Sequence, residues 1–244
     1  MNFNLYQVLL VIIIMTAGTT LQSTVGFGLG LMAGPLLILI DRHYVPGPML
    51  FTALILTFAM AWRERHAIDL GGIKYSVLGR VISTPPAAIA VGLVSATTYD
   101  IVFGCLILLA VGMSLIHSNV KPTGRNVFLA GIASGVMSTI CATGGPPMAL
   151  VYQNARGPQL RSTLAGLFFV GCLISLLALS LVGKFVIADI FRSGIMIIGV
   201  LIGLMISRPL INVLDRNSVR PYILGVCTIS ALVVLGRALF DIFQ

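Results

Sequence analysis

Polar residues divide the chain into eight apolar segments, approximately 5–40, 48–62, 76–94, 100–117, 126–155, 162–183, 189–207 and 221–240. Short polar stretches separate them, at 41–47, 63–74, 95–99, 118–125, 156–161, 183–188 and 208–220. A helix crosses the hydrocarbon of a bilayer with about 20 apolar residues. Six segments read as ordinary crossings on that measure. The first is far longer than one crossing needs, and both it and the fifth are interrupted in the middle by glycine and proline.

The first interruption reads Gln22-Ser23-Thr24-Val25-Gly26-Phe27-Gly28-Leu29-Gly30, with Gly34-Pro35 following. The second reads Ser138-Thr139-Ile140-Cys141-Ala142-Thr143-Gly144-Gly145-Pro146-Pro147. Each broken segment opens its half of the chain, three ordinary spans follow each, and a gapless alignment sets Gly28 opposite Gly144. The expected architecture is therefore an all-α polytopic membrane protein of two repeats, 1–119 and 120–244. Proline lacks an N–H and clashes with the preceding turn, but it suits the first turn of a helix. A new half-helix is thus expected to start near Gly145 and, by the repeat, another near Gly26–Gly28. Paired interrupted segments in corresponding positions are a sequence pointer to a transporter's binding site.

Charge discriminates between two topologies. If the broken segments cross once each, the Lys and Arg residues divide nine to six between the two faces. If each is a re-entrant hairpin, eleven fall on one face and only Arg42, Lys184, Arg192 and Arg237 on the other. The positive-inside rule favours the second arrangement, which also makes the halves inverted repeats and places the 63–74 loop in the cytoplasm. The sums count Arg80 with the loops. It lies a few residues inside the third span and is expected to snorkel to the interface, the other reading being that it faces the pore. Pro85-Pro86 in the same span predicts a kink.

Composition agrees with a membrane protein. The chain of 244 residues is 58% hydrophobic and 9% charged, with a mean hydropathy of +1.06, whereas soluble domains carry about 25% charged residues. The net charge of +8 belongs to loops that orient the chain, and no nucleic-acid patch is present. The four cysteines stand singly in apolar runs and read as packing residues. The N-terminal run lacks Lys or Arg in its first seven residues and continues to Ile40, so it reads as mature structure.

All seven acidic residues lie in loops or near span ends, as do His43, His66 and His117. No carboxylate is available at the midplane for a proton relay or sodium site of the usual kind, although backbone carbonyls leave coupling to a proton or sodium open. What remains at depth is neutral: Gln22, Ser23 and Thr24 facing Ser138, Thr139, Thr143 and Gly144, with Gly26, Phe27, Gly28, Gly145 and Pro146 around them. Two half-helices starting there would aim free N–H groups at the centre, and helix N-termini bind anions. A small anionic substrate follows, received without a buried cation. The bland alternative is that these small residues merely let helices pack closely. Tyr152, Gln153 and Asn154 read as an access route or a solvated helix end. No hydrolase, P-loop or metal motif is present, and no enzyme activity or cofactor is expected.

With Gly26-Phe27-Gly28 followed by Pro35, and Gly144-Gly145-Pro146-Pro147 after the Gly131-x3-Gly135 lead-in, the chain resembles the sulfite exporter TauE/SafE (TSUP) family over essentially its whole length. Cys141-Ala142-Thr143 departs from the further glycine that many members carry. The resemblance implies transport of sulfite, sulfoacetate or a related sulfonate across the bacterial plasma membrane, in either direction. An anion channel and a membrane scaffold without substrate are the competing readings. Partners are then the anion, the lipid bilayer, a coupling ion and, where the protein assembles, further copies of itself.

Overall fold

A computed structural model describes residues 4–116, 120–155, 157–211 and 216–241, without the side chains of 216–223. His117, Arg156 and Asp215 fall outside the described residues. Ten α-helices and two short 3-10 turns account for the described chain, with no strand among them: α1 Leu5–Val25, α2 Leu29–Ile40, α3 Gly47–Arg63, α4 Leu70–Leu93, α5 Ala96–Leu115, α6 Gly124–Cys141, α7 Gly145–Tyr152, α8 Gly157–Leu181, α9 Ile187–Leu210 and α10 Arg216–Phe240. Both long segments are broken where glycine and proline predicted. The half-helices start at Leu29 and Gly145, with Gly28 and Gly144 as N-caps.

Several helices begin earlier than hydropathy alone indicated, because polar side chains cap them. The Asp69 carboxylate accepts from the Gly71 amide at 3.0 Å, Ser95 Oγ from Thr98 at 3.1 Å and Thr123 Oγ1 from Asn126 at 3.4 Å. Each satisfies an N–H that the first turn leaves without a helical acceptor. The expected 63–74 loop is thereby shortened, and α4 runs unbroken through Pro85 and Pro86.

Among the described residues, six helical stretches are long and apolar enough to cross a membrane: α1, Arg42–Arg63, α4, α5, α8 and α9. Their outward faces carry large apolar side chains such as Leu93, Leu177, Leu181, Ile187, Phe191 and Met205. A surface of this kind suits lipid and would aggregate in water. This is a multi-pass membrane protein.

Two helix pairs run in parallel at close range. α1 lies on α9, with Gly199 against Ile12 and Met15 and Gly203 against Thr16 and Thr19. The Thr16 and Thr20 hydroxyls reach the Gly199 and Gly203 carbonyls, each at 3.3 Å. α4 lies on α6 in the same manner, Gly131 against Ser76, Gly79 against Phe128 and Ile132, and Gly135 against Arg80 and Ser83. Small residues four apart permit such approach.

Both broken segments fold back on themselves. Gly18 of α1 faces Leu29 and Ala33 of α2, so α2 returns along α1. Ser134 of α6 donates its hydroxyl to the Gly144 carbonyl, and Tyr152 at the far end of α7 lies against Gly72 near the start of α4. The ends of α4 and α8 and the starts of α3, α5 and α9 surround one open cavity of about 320 Å³. Because α1 parallels α9, the α1/α2 hairpin begins and ends at this vestibule end. Because α6 parallels α4, the α6/α7 hairpin begins and ends at the other. Arg42, Lys184 and Arg192 line the vestibule, while Arg63, Arg65, Lys74, Lys121, Arg125, Arg161 and Arg208 occupy loops and helix ends at the opposite end.

Candidate functional site

The two breaks meet. A side chain added at Gly30, in the first turn of α2, would run into the carbonyl of Ala142, and one at Gly145 would come within 2.8 Å of Phe27. Gly34 similarly faces the Cys141 carbonyl at 3.6 Å. The first break is turned by Gly26 and Gly28, at φ 102° and 131°. Those values are open to glycine and strained for any residue with a Cβ. The second is turned by Ala142 at φ 53°, whose N–H reaches the Ser138 carbonyl at 2.8 Å.

Between the breaks lies a small cavity of about 30 Å³, room for two or three waters on a scale where each needs roughly 10–15 Å³. Gln22, Phe27, Gly28, Gly30 and Leu31 form one side; Ser138, Ala142, Thr143, Gly144, Gly145 and Pro146 form the other. Ala53 and Thr57 of α3 and Phe168 and Cys172 of α8 close it. These four sit near the middle of their helices, so the cavity is central along the bundle.

Of the residues singled out in the sequence, Gln22, Phe27, Gly28, Ser138, Thr143, Gly144, Gly145 and Pro146 line this cavity, whereas Ser23, Thr24, Gly26 and Thr139 do not. Thr24 is committed to its own helix, donating to the Thr20 and Leu21 carbonyls at 2.9 Å. Thr139 donates to the Gly135 carbonyl at 2.8 Å and pairs with the Ser175 hydroxyl at 3.0 Å. The Ser23 hydroxyl is buried without a hydrogen-bond partner. Gly26 packs on the backbone of Arg161.

The half-helices differ in what they offer. Gln22 Oε1 accepts the Leu29 amide of α2 at 3.0 Å, leaving the first-turn amides of Gly30 and Leu31 without a helical acceptor. In α7 the residues after Gly145 are Pro146 and Pro147, which have no N–H. That helix contributes its dipole and little more than the Gly145 amide.

Arg80 corrects the sequence reading. It was expected to snorkel to the interface; it is 1% exposed. Its Nη2 donates to Ser134 Oγ at 2.5 Å, the same hydroxyl that donates to the Gly144 carbonyl. Its guanidinium lies 5.7 Å from the Phe168 ring centroid. The error came from the helix boundary. With α4 starting at Leu70, Arg80 lies about 15 Å along the axis at 1.5 Å per residue, half of a roughly 30 Å hydrocarbon core. The expectation that the central site has no buried cation nearby is overturned with it.

Each break is anchored at a different end. Arg63 Nη2 donates to the Ser23 carbonyl at 3.2 Å, and Arg161 makes paired hydrogen bonds to Glu64, the shortest 2.8 Å. The second break is held by the Tyr99 hydroxyl, which donates to the Ile140 carbonyl at 2.7 Å. Tyr99 also lines the vestibule, beside Arg42, Lys184 and Arg192. Two of those cations are paired, Arg42 with Asp100 at 3.3 Å and Arg192 with Asp189 at 2.8 Å. Tyr152 is buried with its hydroxyl unpartnered and lines neither cavity.

Residues 10–234 match the model of the sulfite exporter TauE/SafE family. The chain belongs to that family. TauE/SafE proteins form a transporter family, so membrane anion transport is the general function, in keeping with the absence of enzyme motifs from the sequence. No curated protein and no solved structure gave a significant match.

Proposed function

We propose that this TauE/SafE protein is a secondary transporter that moves a small anion, sulfite or a sulfonate, across the bacterial plasma membrane by alternating access. The observation that carries the reading is the meeting of two broken hairpins around a small central cavity. Its walls combine the first-turn amides of α2, which have no acceptor within their own helix, the hydroxyl of Ser138, and the N-terminal dipoles of two opposed half-helices. Such a surface favours an oxyanion. Irregular backbone at membrane depth is tolerated where it is buried in protein or lines a cavity, and both breaks meet that condition.

The hairpins open from opposite ends of the bundle, and the α1–α9 and α4–α6 contacts exchange under the swap of the two halves. Those relations support reading 1–119 and 120–244 as inverted repeats, with the hairpins as re-entrant elements. The end rich in Lys and Arg then faces the cytoplasm, and the vestibule faces outward. The cavity is separated from the vestibule by Tyr99 and the second break. That separation favours a carrier over a channel, because the anion cannot pass from one cavity to the other without rearrangement.

The test is counterflow in proteoliposomes. Sulfite flux should saturate and exchange against sulfite on the other side, and Gly144→Leu should abolish it while the protein still inserts, since a side chain there would press on Ser134 and the Arg80 guanidinium at 2.8–2.9 Å. Unsaturable conductance would identify a channel. Normal flux in Gly144→Leu would remove the site from this cavity and leave the scaffold reading standing.

A further inference from the structure

Arg80 is a full positive charge in the middle of the bundle with no negative partner among the described residues. Among the described residues its one side-chain hydrogen bond is to the neutral Ser134 hydroxyl, and its Nε has no partner. No ion pair among the described residues includes it. The described acidic residues lie toward the ends: Asp41, Asp100, Asp189 and Asp241 at the vestibule side, Glu64 and Asp69 at the other. A charge buried this way is costly unless it is paired, and ionisable groups inside membrane bundles are functional when retained.

The surroundings are cleared for the guanidinium. A side chain at Gly171 would collide with Arg80 Nη1, and one at Gly144 would come within 2.9 Å of Nη2. Cys172 is near enough to feel the charge. Gly144, Phe168 and Cys172, all packed around the guanidinium, are also walls of the central cavity. Arg80 therefore stands directly behind the cavity on the α7 side, where the prolines remove the amides that α2 supplies opposite.

We infer that Arg80 is the charge partner of the transported anion, and that the bound part of the substrate is an oxyanion head whose negative charge this guanidinium neutralises across the Gly144–Cys172 wall. The inference rests on the proposed central site and adds to it the group that selects charge. A neutral molecule of the same shape would leave the guanidinium uncompensated and bind poorly. Arginine suits the task because its planar fork matches an oxyanion's geometry and stays protonated.

The experiment is a thermal-shift titration of detergent-purified protein with sulfite, methanesulfonate and the neutral isostere dimethyl sulfone, on wild type, Arg80→Gln and Cys172→Asp. A ligand of the native state raises the melting temperature. Sulfite or methanesulfonate should stabilise the wild type and dimethyl sulfone should not. Arg80→Gln should weaken the apparent affinity for the anion at least tenfold. Cys172→Asp supplies a fixed counter-charge, so it should melt no lower than wild type without ligand and lose the anion response. Anion affinity within twofold of wild type in either variant overturns the inference, as does failure of Cys172→Asp to fold. If Arg80→Gln does not fold, Cys172→Asp decides. If Gly144→Leu blocks flux while Arg80→Gln binds normally, the site stands and the role of Arg80 falls. A wild type unmoved by either anion removes both.

Discussion

The two hairpins share one backbone device and differ in where their polar chemistry lies. In α1/α2 the break is made by two glycines at positive φ, and charge gathers at its tip, where Arg63 holds the Ser23 carbonyl and Arg161 grips Glu64. In α6/α7 the tip is held by neutral groups, the Tyr99 hydroxyl and a long Cys141 Sγ contact to the Phe103 carbonyl at 3.9 Å. The charge stands beside its flank instead, as Arg80 of α4. The first half-helix presents amides to the cavity; the second has prolines in their place and a guanidinium behind it. Similar folding instructions in the two halves thus leave each free to specialise, one toward anchoring at the loop-charge end and the other toward central charge.

The comparison is broken most severely at the point of contact. Gly30→Val should reduce flux to background and destabilise the protein by about 1–3 kcal/mol through overpacking, because its side chain meets backbone at Ala142, which cannot rotate away; melting and counterflow together check this. A second pair of variants, with stability alone as the readout, separates the two turns. Gly28→Ala should cost about 1–3 kcal/mol for a Cβ in a glycine-only region, whereas Ala142→Gly should be neutral or slightly stabilising, since it relieves a left-handed alanine. Equal losses in the two variants would mean the turns are not conformationally distinct. The anchors are the third point of comparison. Glu64→Gln should lower stability by about 1.5–3 kcal/mol, as expected for hydrogen bonds to charged groups, and Tyr99→Phe by about 1 kcal/mol for a neutral one. Both are readable as melting shifts at fixed detergent and salt. High salt should weaken the Glu64 contribution more than the Tyr99 one.

Much of the architecture was legible beforehand. Gly26-x-Gly28 and Gly144-Gly145-Pro146-Pro147 announce breaks because glycine and proline act on their own backbone, whatever surrounds them. The first residues of both half-helices followed from that. Helix starts at Leu70, Ala96 and Gly124 were placed late, since hydropathy registers apolar runs and does not weigh a single capping Asp69, Ser95 or Thr123. That small displacement had a large consequence at Arg80, whose depth is measured from the start of α4. Hydroxyls were the least legible. Thr24 and Thr143 look alike in sequence, yet one is consumed by its own helix and the other lines the cavity, donating to the Cys141 carbonyl at 3.0 Å.

The amino-acid sequence by itself determined that this chain lives in a bilayer and where two of its helices must break. Those properties arise from local composition and from the backbone chemistry of single residues. Only the tertiary structure decided that the two breaks meet, that they are reached from opposite ends, and that one arginine is enclosed beside them with no acid among the described residues to face it. Partnering of that kind is a relation between residues such as Arg80, Ser134 and Gly171, more than fifty positions apart in some pairs. It is settled by packing, which brings charge and cavity together without leaving a local mark on either.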